Sequence, residues 1–284
     1  MNRLKIAIQK KGRLSEQSLR LLRECGIRIS NGGKLKAEAT NFPVDVLYLR
    51  DDDIPQYVAD GVADVGILGE NVVLEKGKKV RVAEKLGFAR CRLSLAVKRE
   101  EKYAGLSWLN GKKIASTYPN ILRRFLEEQG IAAGIEEISG SVEIAPGIGL
   151  ADAVCDIVST GSTLMMNGLR EVETILRSEA VLIANPTLEG ERQKILGQLR
   201  FRIRAVQNAG QYKYILLNAP DDSLETICAL LPGMKSPTIL PLAEKGWNSV
   251  HSVVKEDTFW EVIDNLRQAG AQGILVCPIE KMFL

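Results

Sequence analysis

A run of small hydroxylated residues around a glycine, Ser159-Thr160-Gly161-Ser162-Thr163, follows the β-branched stretch DIVST and precedes the helix-like LMMNGLREVE. A strand-to-helix turn of this composition turns several backbone N–H groups and hydroxyls toward one point, and the positive end of a helix favours an anion there. Residues Ser159 to Leu164 are therefore candidates to hold a sugar 5-phosphate, although Ser and Thr in such a turn also serve as ordinary helix caps. Asp152 and Asp156 lie just upstream, where carboxylates accept ribose hydroxyls or help to position Mg2+.

Other segments carry charge or small residues in similar surroundings. GVADVGILGEN places Gly66 and Gly69 around an apolar strand, so that a ligand can approach the backbone, and Glu70 and Asn71 follow as polar contacts. Glycines in such places are also plain turn formers. Thr117 and Tyr118, at the start of a helix, are placed where they could contact a nucleotide, but Pro119, which fits the first position of a helix, accounts for this segment on structural grounds, and that reading is preferred. His251 is the only histidine, and no GxSxG-like nucleophile signature accompanies it. A Ser-His-Asp or Cys-His triad is thus unsupported, His251 reads as a structural strand residue, and a mechanism without a histidine base is needed.

Hydrophobic periodicity defines the elements that must position these residues. LKIAIQ (4–9), VDVLYLR (44–50) and ADVGILG (63–69) alternate with the amphipathic SEQSLRLLRECG and DIPQYVADG, the pattern of βαβ units and a largely parallel sheet. RLSLAVK (92–98), KKIAST (112–117), YPNILRRFLEEQG (118–130), SVEIAP (141–146), LADAVCDIVSTG (150–161) and AVLIAN (180–185) continue the alternation, which is too many strands for one simple sheet. Two α/β lobes around a cleft fit better, with residues 185–205 returning to the first lobe as a helix. Ligands of open α/β sheets sit at the carboxyl ends of strands, where KKGR, LRDDD, ILGE, STYPN and STGST all fall. From about residue 211 the order becomes β-α-β-β-α-β, which is ferredoxin-like.

Composition limits the function classes. The chain has 284 residues, 45% apolar and 26% charged, as globular proteins do, and 38 Lys and Arg against 35 Asp and Glu leave a formal charge of +3. That balance speaks against a dedicated nucleic-acid or membrane binder. MNRLKIAIQKKGRLSEQ turns polar after one short apolar stretch, and no run approaches the ~20 apolar residues of a spanning helix, so a cytoplasmic location is expected. Cys25, Cys91, Cys155, Cys228 and Cys277 are odd in number and contain no CxxC pair. They suggest neither a disulfide framework nor a zinc site and are expected as reduced core thiols.

The segment from Glu143 to Leu164, with Glu143, Gly149, Asp152, Asp156, Thr160, Gly161, Thr163 and Leu164 in its spacing, resembles the signature of the ATP phosphoribosyltransferase family, which opens histidine biosynthesis. KGRLS, LRDDDIP, GVADVGILGEN, GSVEIAP, GMKSPTILPL and PIEKMF fall in that family's order, so the resemblance spans essentially the whole chain. The terminal segment resembles the family's long form. This resemblance implies an α/β, two-lobed, periplasmic-binding-protein-like catalytic core, with residues 1–92 and 184–208 in lobe I and 93–183 in lobe II, followed by an ACT-like regulatory domain over 209–284. It implies transfer of phosphoribosyl from phosphoribosyl pyrophosphate to N1 of the ATP adenine with release of pyrophosphate, Mg2+ as cofactor, feedback inhibition by histidine, and a homo-oligomer that exchanges between dimer and hexamer.

Under that resemblance Lys11, Arg13 and Arg50 are expected around the departing pyrophosphate, where positive charge and rigid positioning matter more than a strong base. Ser159, Thr160, Gly161, Ser162, Thr163 and Leu164 are expected on phosphoribosyl pyrophosphate, Asp152 and Asp156 near its ribose or the metal, and Gly69, Glu70 and Glu143 on ATP. Histidine is expected at Asn218, Met234, Ser236, Thr238 and Gly273. One departure stands out: phosphoribosyltransferase loops commonly carry two adjacent acids before the Thr-Gly turn, and here the first is Cys155.

Two other readings share these features. A non-catalytic solute sensor would have the same two lobes but is expected with an export signal or partner domain, and neither is seen. A regulatory subunit without turnover would keep the fold, but the KGR and STGST loops argue against it. Replacing Thr163 by Val and Gly161 by a bulky residue is expected to raise the KM for phosphoribosyl pyrophosphate by orders of magnitude in folded protein; unchanged steady-state kinetics would remove the phosphate assignment.

Overall fold

The computed structural model describes residues 3–30, 35–231 and 233–283, in two units, 1–197 and 198–284. The first unit begins with β1 (Leu4–Gln9), α1 (Arg13–Glu24), β2 (Lys36–Glu38), β3 (Val44–Leu49), α2 (Ile54–Ala59), β4 (Val65–Gly69), α3 (Glu70–Lys76) and β5 (Arg81–Lys85). It continues through β6 (Cys91–Lys98), β7 (Lys113–Ser116), α4 (Pro119–Glu128), β8 (Gly134–Glu137), β9 (Ala153–Val158), α5 (Ser162–Met166) and β10 (Leu169–Ser178). It ends with β11 (Ala180–Ala184) and the start of α6 (Gly190–Gly210), a helix that runs on into the second unit.

These strands form two sheets, ordered β2-β3-β1-β4-β11-β5 and β10-β6-β9-β7-β8. Central strands covered on both faces need continuous apolar sequence. Accordingly Leu4, Ile6, Ala7 and Ile8 of β1 and every residue of β11 are fully buried. β1 runs parallel to β3 and β4, with Gln9 beside Leu49 and Ile8 beside Ile67, so their carboxyl ends share one edge. β7 and β9 are parallel in the second sheet, with Ser116 beside Cys155.

Three expectations are corrected. AVLIAN does not continue the second lobe: it is β11, whose Ala180 pairs with Gly69, so the first sheet takes the chain back at residue 180 rather than 184. The chain returns across the carboxyl edge, and β11 therefore runs antiparallel to β4, which makes the sheet mixed rather than largely parallel. The helix expected over LMMNGLREVE is only the five-residue α5; Gly168, at φ 71°, follows it, and the β-branched Val172, Thr174 and Ile175 continue as β10. Of the cysteines, only Cys25 and Cys155 are buried, while Cys277 is exposed on the last strand of the chain.

The second unit continues with β12 (Tyr212–Pro220), α7 (Leu224–Leu230), β13 (Thr238–Pro241), β14 (Trp247–Lys255), α8 (Glu256–Gln268) and β15 (Gln272–Pro278). Its sheet has the order β13-β14-β12-β15, the ferredoxin-like arrangement expected. Strand alternation sends Ile215, Leu217, Ala219, Val250 and Val254 into one core with Ile227 of α7 and Phe259 and Leu266 of α8. Among the described residues no helix is long and apolar enough to cross a membrane.

Leu182, fully buried at the centre of β11, tests the placement of that strand. Leu182→Ala is expected to cost about 2–5 kcal/mol in denaturant unfolding; an unchanged midpoint would contradict a central position in the first sheet.

Candidate active site

The parallel β1, β3 and β4 deliver their loops to one edge. Lys11 follows β1 and Arg13 starts α1, Arg50 follows β3, and Gly69 and Glu70 join β4 to α3. The Lys10 N–H donates to the Leu49 carbonyl at 2.8 Å and ties the first two loops together. Lys11, Arg13 and Arg50 are exposed, and among the described residues none has an ion-pair partner. Asp51–Asp53 form a 3-10 turn in which Asp52 pairs with Lys76 at 3.4 Å rather than with Arg50. Three cations without ion-pair partners on one edge, beside the acids Asp51 and Asp53, are available to an anion.

On the second sheet, the carboxyl ends of β7 and β9 lie side by side. Ser116 Oγ donates to the Cys155 carbonyl at 2.7 Å and accepts from the Tyr118 N–H at 2.9 Å, while Thr117 Oγ1 donates to Asp156 Oδ1 at 3.1 Å. The hydroxylated loop leaves β9 here. Gly161 turns it at φ 83°, a left-handed value that glycine adopts without penalty, and the Thr160 and Ser162 hydroxyls lie 3.0 Å apart. Thr163 is exposed, whereas Leu164 is buried and anchors α5 in the core below. Arg92 holds the loop at its base: Nη1 donates to the Ser159 carbonyl at 3.2 Å, and Nε and Nη2 each reach Glu171 at 2.5 Å.

Electrostatics distinguish the two acids of this edge. The Arg92 hydrogen bonds hold the Glu171 carboxyl below the usual range against the effect of burial, helped by Ser94, whose hydroxyl donates to it at 2.7 Å. Burial instead pushes the Asp156 carboxyl up, against hydrogen bonds from the Ile157 N–H and Thr117, and the charge of Glu143, in the 3-10 turn Val142–Ile144, pushes the same way. Asp156 is thus a carboxylate whose charge is incompletely compensated by the protein.

The two edges meet at Asn71. This buried side chain donates from Nδ2 to Tyr118 Oη at 3.0 Å and accepts at Oδ1 from Ser178 Oγ at 2.9 Å, and its N–H donates to the same Oγ at 3.0 Å. The carboxamide folds back over Gly69, where a Cβ would overlap it. Glycine at position 69 is therefore required by Asn71, independently of any ligand. Burial pushes the Tyr118 phenol up, and the charges of Asp156 in one lobe and Asp51 in the other add to it.

Asp152 is not part of this group. Its Oδ2 accepts from the Lys113 N–H at 2.9 Å and its Oδ1 faces Lys112 Nζ at 3.4 Å, at the amino ends of β7 and β9. The length of β9, about 20 Å at ~3.3 Å per residue, separates it from the loop, which corrects its assignment to ribose or metal. Among the described residues no three His, Cys, Asp or Glu side chains are grouped to enclose an ion. Glu70, at the start of α3, is paired with Lys85 at 3.3 Å. Asn71 was expected as a polar contact, but Tyr118, Ser178 and Arg92 were not expected at the site. Tyr118 had a signal in its place within STYPN, but Arg92 reaches Ser159 only because β6 and β9 pair antiparallel.

In the second unit the five expected histidine contacts divide in two. Asn218 on β12 lies against Gly273 at the start of β15, where a Cβ would stand 3.3 Å from the Asn218 amide nitrogen and where φ is 57°. Met234, Ser236 and Thr238 lie before and at the start of β13, on the far side of the sheet; β13 and β15 are three strand spacings apart, about 14 Å. His251 accepts or donates at both ring nitrogens, to Tyr214 Oη at 2.6 Å and Ser249 Oγ at 3.0 Å, with no acid in that set.

Residues 50–205 match the family model described as ATP phosphoribosyltransferase, and residues 209–281 match that described as HisG, C-terminal domain. A protein of Cytophaga hutchinsonii named ATP phosphoribosyltransferase is 61% identical over 280 residues, 98% of each chain. An ATP phosphoribosyl transferase (HisG:HisZ) complex from Thermotoga maritima superposes with a TM-score of 0.61 at 31% identity, over 71% of this chain and 98% of that one. A histidine kinase sensor domain with similarity to periplasmic binding proteins matches with a TM-score of 0.51 at 11% identity, over 74% of this chain and 92% of that one, a likeness of fold alone.

Glu171→Gln tests the support of the loop. Because the folded carboxyl is held low, its stabilisation is fully present above the usual carboxylate range and is lost as pH falls through the lowered value. The variant should be less stable by about 1 kcal/mol at neutral pH, with the difference closing in acid. Its KM for phosphoribosyl pyrophosphate should rise several-fold as Arg92 loses its anchor. A pH-independent stability difference in thermal unfolding would contradict the assignment.

Proposed function

The chain belongs to the ATP phosphoribosyltransferase family, and on that premise we propose that it transfers the phosphoribosyl group of phosphoribosyl pyrophosphate to N1 of the ATP adenine, the opening reaction of histidine biosynthesis, in the cytoplasm. The observation that carries this reading is the pairing of two edges. Unpaired Lys11, Arg13 and Arg50 on the first stand across the Asn71–Tyr118 seam from the hydroxylated loop and Asp156 on the second.

In this reading the backbone N–H groups and hydroxyls of Thr160, Gly161, Ser162 and Thr163 hold the 5-phosphate. Asp156, with Thr117 beside it, accepts ribose hydroxyls, whose donation offsets its incompletely compensated charge. Lys11, Arg13 and Arg50 face the pyrophosphate. The lone pair of N1 forms the bond to C1 as the bond from C1 to the pyrophosphate oxygen breaks, and the electron pair departs on pyrophosphate, where the three cations stabilise it. No histidine base is required. Gly69, Glu70 and Glu143 adjoin this space and are assigned to ATP.

Mg2+ fits as a companion of the substrate. It commonly takes one or two carboxylates plus phosphate oxygens and waters, so a site offering Asp156 with Glu143 nearby suits it better than one needing a protein cage. When bound, it supplies charge neutralisation at the pyrophosphate oxygens. Asp152 has no part in holding it.

Histidine is proposed as the feedback inhibitor, bound at the ferredoxin-like unit. Asn218 with Gly273 lies on β12 and β15, and Thr238 lies on β13, at least two strand spacings away with Met234 and Ser236 just before it. Two copies of the unit that face each other would supply the two halves, which supports assembly into dimers and hexamers.

Turnover of ATP and phosphoribosyl pyrophosphate with Mg2+, followed by pyrophosphate release with and without histidine, tests both parts. Turnover suppressed by histidine is expected. Turnover indifferent to histidine would remove the sensor, and binding of both substrates without product would leave a regulatory subunit.

A further inference from the structure

Helix α3 touches both halves of the site although it is only seven residues long. Its first residue, Glu70, leaves the first sheet's carboxyl edge; one turn of its face carries Asn71 and Glu75, which at i and i+4 point the same way. Asn71 reaches Tyr118. Glu75 is 7% exposed and turns its carboxylate onto the first turn of α4, with Oε1 accepting from the Asn120 N–H at 3.0 Å and Oε2 from the Ile121 N–H at 2.9 Å. The Glu75 carbonyl accepts from Asn120 Nδ2 at 3.1 Å, and the preceding Leu74 carbonyl accepts from Arg124 Nη2 at 2.7 Å.

The first N–H groups of a helix lack partners within it, and α4 has no side-chain cap of its own. Its cap is supplied instead by the other lobe, 45 residues earlier in the chain, by a carboxylate that the positive end of the helix favours. The two residues immediately before α4 are Thr117, on Asp156, and Tyr118, on Asn71. Whatever fixes the start of α4 against α3 therefore fixes the spacing between the cationic edge and the hydroxylated loop.

We propose that Glu75 is a positioning residue for the transfer reaction: by capping α4 from α3 it holds Thr117 and Tyr118 over Asp156 at the distance from Lys11, Arg13 and Arg50 that the displacement requires. This inference rests on the function proposed above. Such a residue touches no substrate, so its loss lowers the rate of reaction from the bound complex more than it weakens binding.

The test is steady-state kinetics of the full chain with both substrates, for Glu75→Gln and Asn120→Ala. Glutamine keeps the size of Glu75 but turns an NH2 toward one of the two N–H groups. Asn120 is exposed, and its substitution removes the amide bond to the Glu75 carbonyl together with the bond that Arg123 Nη1 donates to Asn120 Oδ1 at 2.9 Å within α4, while leaving the Glu75 carboxylate on its two N–H groups. Glu75→Gln should lower kcat about tenfold or more with both KM values within about threefold, and Asn120→Ala should lower kcat a few-fold in the same direction. In a Tyr118→Phe background the effect of Glu75→Gln should shrink, since both act at one seam. Unchanged kcat in folded variants, or a loss confined to the KM of one substrate, would overturn the proposal and leave Glu75 a stabilising cap. If Glu75→Gln does not fold, Asn120→Ala decides the matter by the same criterion. Absence of turnover in the unaltered chain would remove the proposed function and this inference with it, whereas turnover there with indifferent variants removes the inference alone.

Discussion

A buried amide in water-poor surroundings must find partners for all its polar groups, and Asn71 finds them across the line where the two lobes meet. Its N–H and Oδ1 are taken by Ser178, on the strand leading back into the first sheet, and its Nδ2 by Tyr118, at the carboxyl edge of the second. Leaving one such group unpaired costs about 1–3 kcal/mol, so the seam favours one arrangement over a continuum of them. Gly69 has to be a glycine for the amide to fold into place. The Glu75 cap on α4 repeats the same logic one turn along α3, with backbone N–H groups as the donors.

The charges on either side of that seam are left uncompensated. Lys11, Arg13 and Arg50 have no ion-pair partners among the described residues, and burial raises the proton affinity of Asp156. By contrast, acids with structural duties are satisfied: Glu171 is held by Arg92 and Ser94, and Asp64 accepts from the Lys5 N–H and from Arg192. A folded chain optimised for stability alone would pair the first group as thoroughly as the second. Unpaired charge gathered at facing strand ends is the expected cost of a site that binds anionic substrates through fixed charges and dipoles.

Much of this was legible in the residues because two rules of α/β architecture are local. Parallel strands put successive loops on one edge, which placed Lys11, Arg13, Arg50 and Gly69 together, and a Gly among hydroxyls after a β-branched run marked the loop at 159–163. The ferredoxin-like order was equally legible from alternating strands. What failed depended on pairing partners. Asp152 and Asp156 are neighbours in sequence but lie toward opposite ends of a strand, and only Asp156 reaches the loop. Tyr118 was set aside because Pro119 explained its segment. Glu75 gave no signal, since its partners are backbone groups of a distant helix. The strand order that separates Asn218 from Thr238 is likewise absent from periodicity.

In the proposed reaction one ligand spans both edges, its phosphate on the second sheet and its pyrophosphate on the first. A crystal structure of the chain with phosphoribosyl pyrophosphate and Mg2+ bound addresses it directly. The 5-phosphate is expected within hydrogen-bond distance of the N–H groups of residues 160–163, the ribose hydroxyls at Asp156, and the pyrophosphate facing Lys11, Arg13 and Arg50. A ligand that leaves the 159–163 loop empty, or whose pyrophosphate lies away from those three cations, would contradict it.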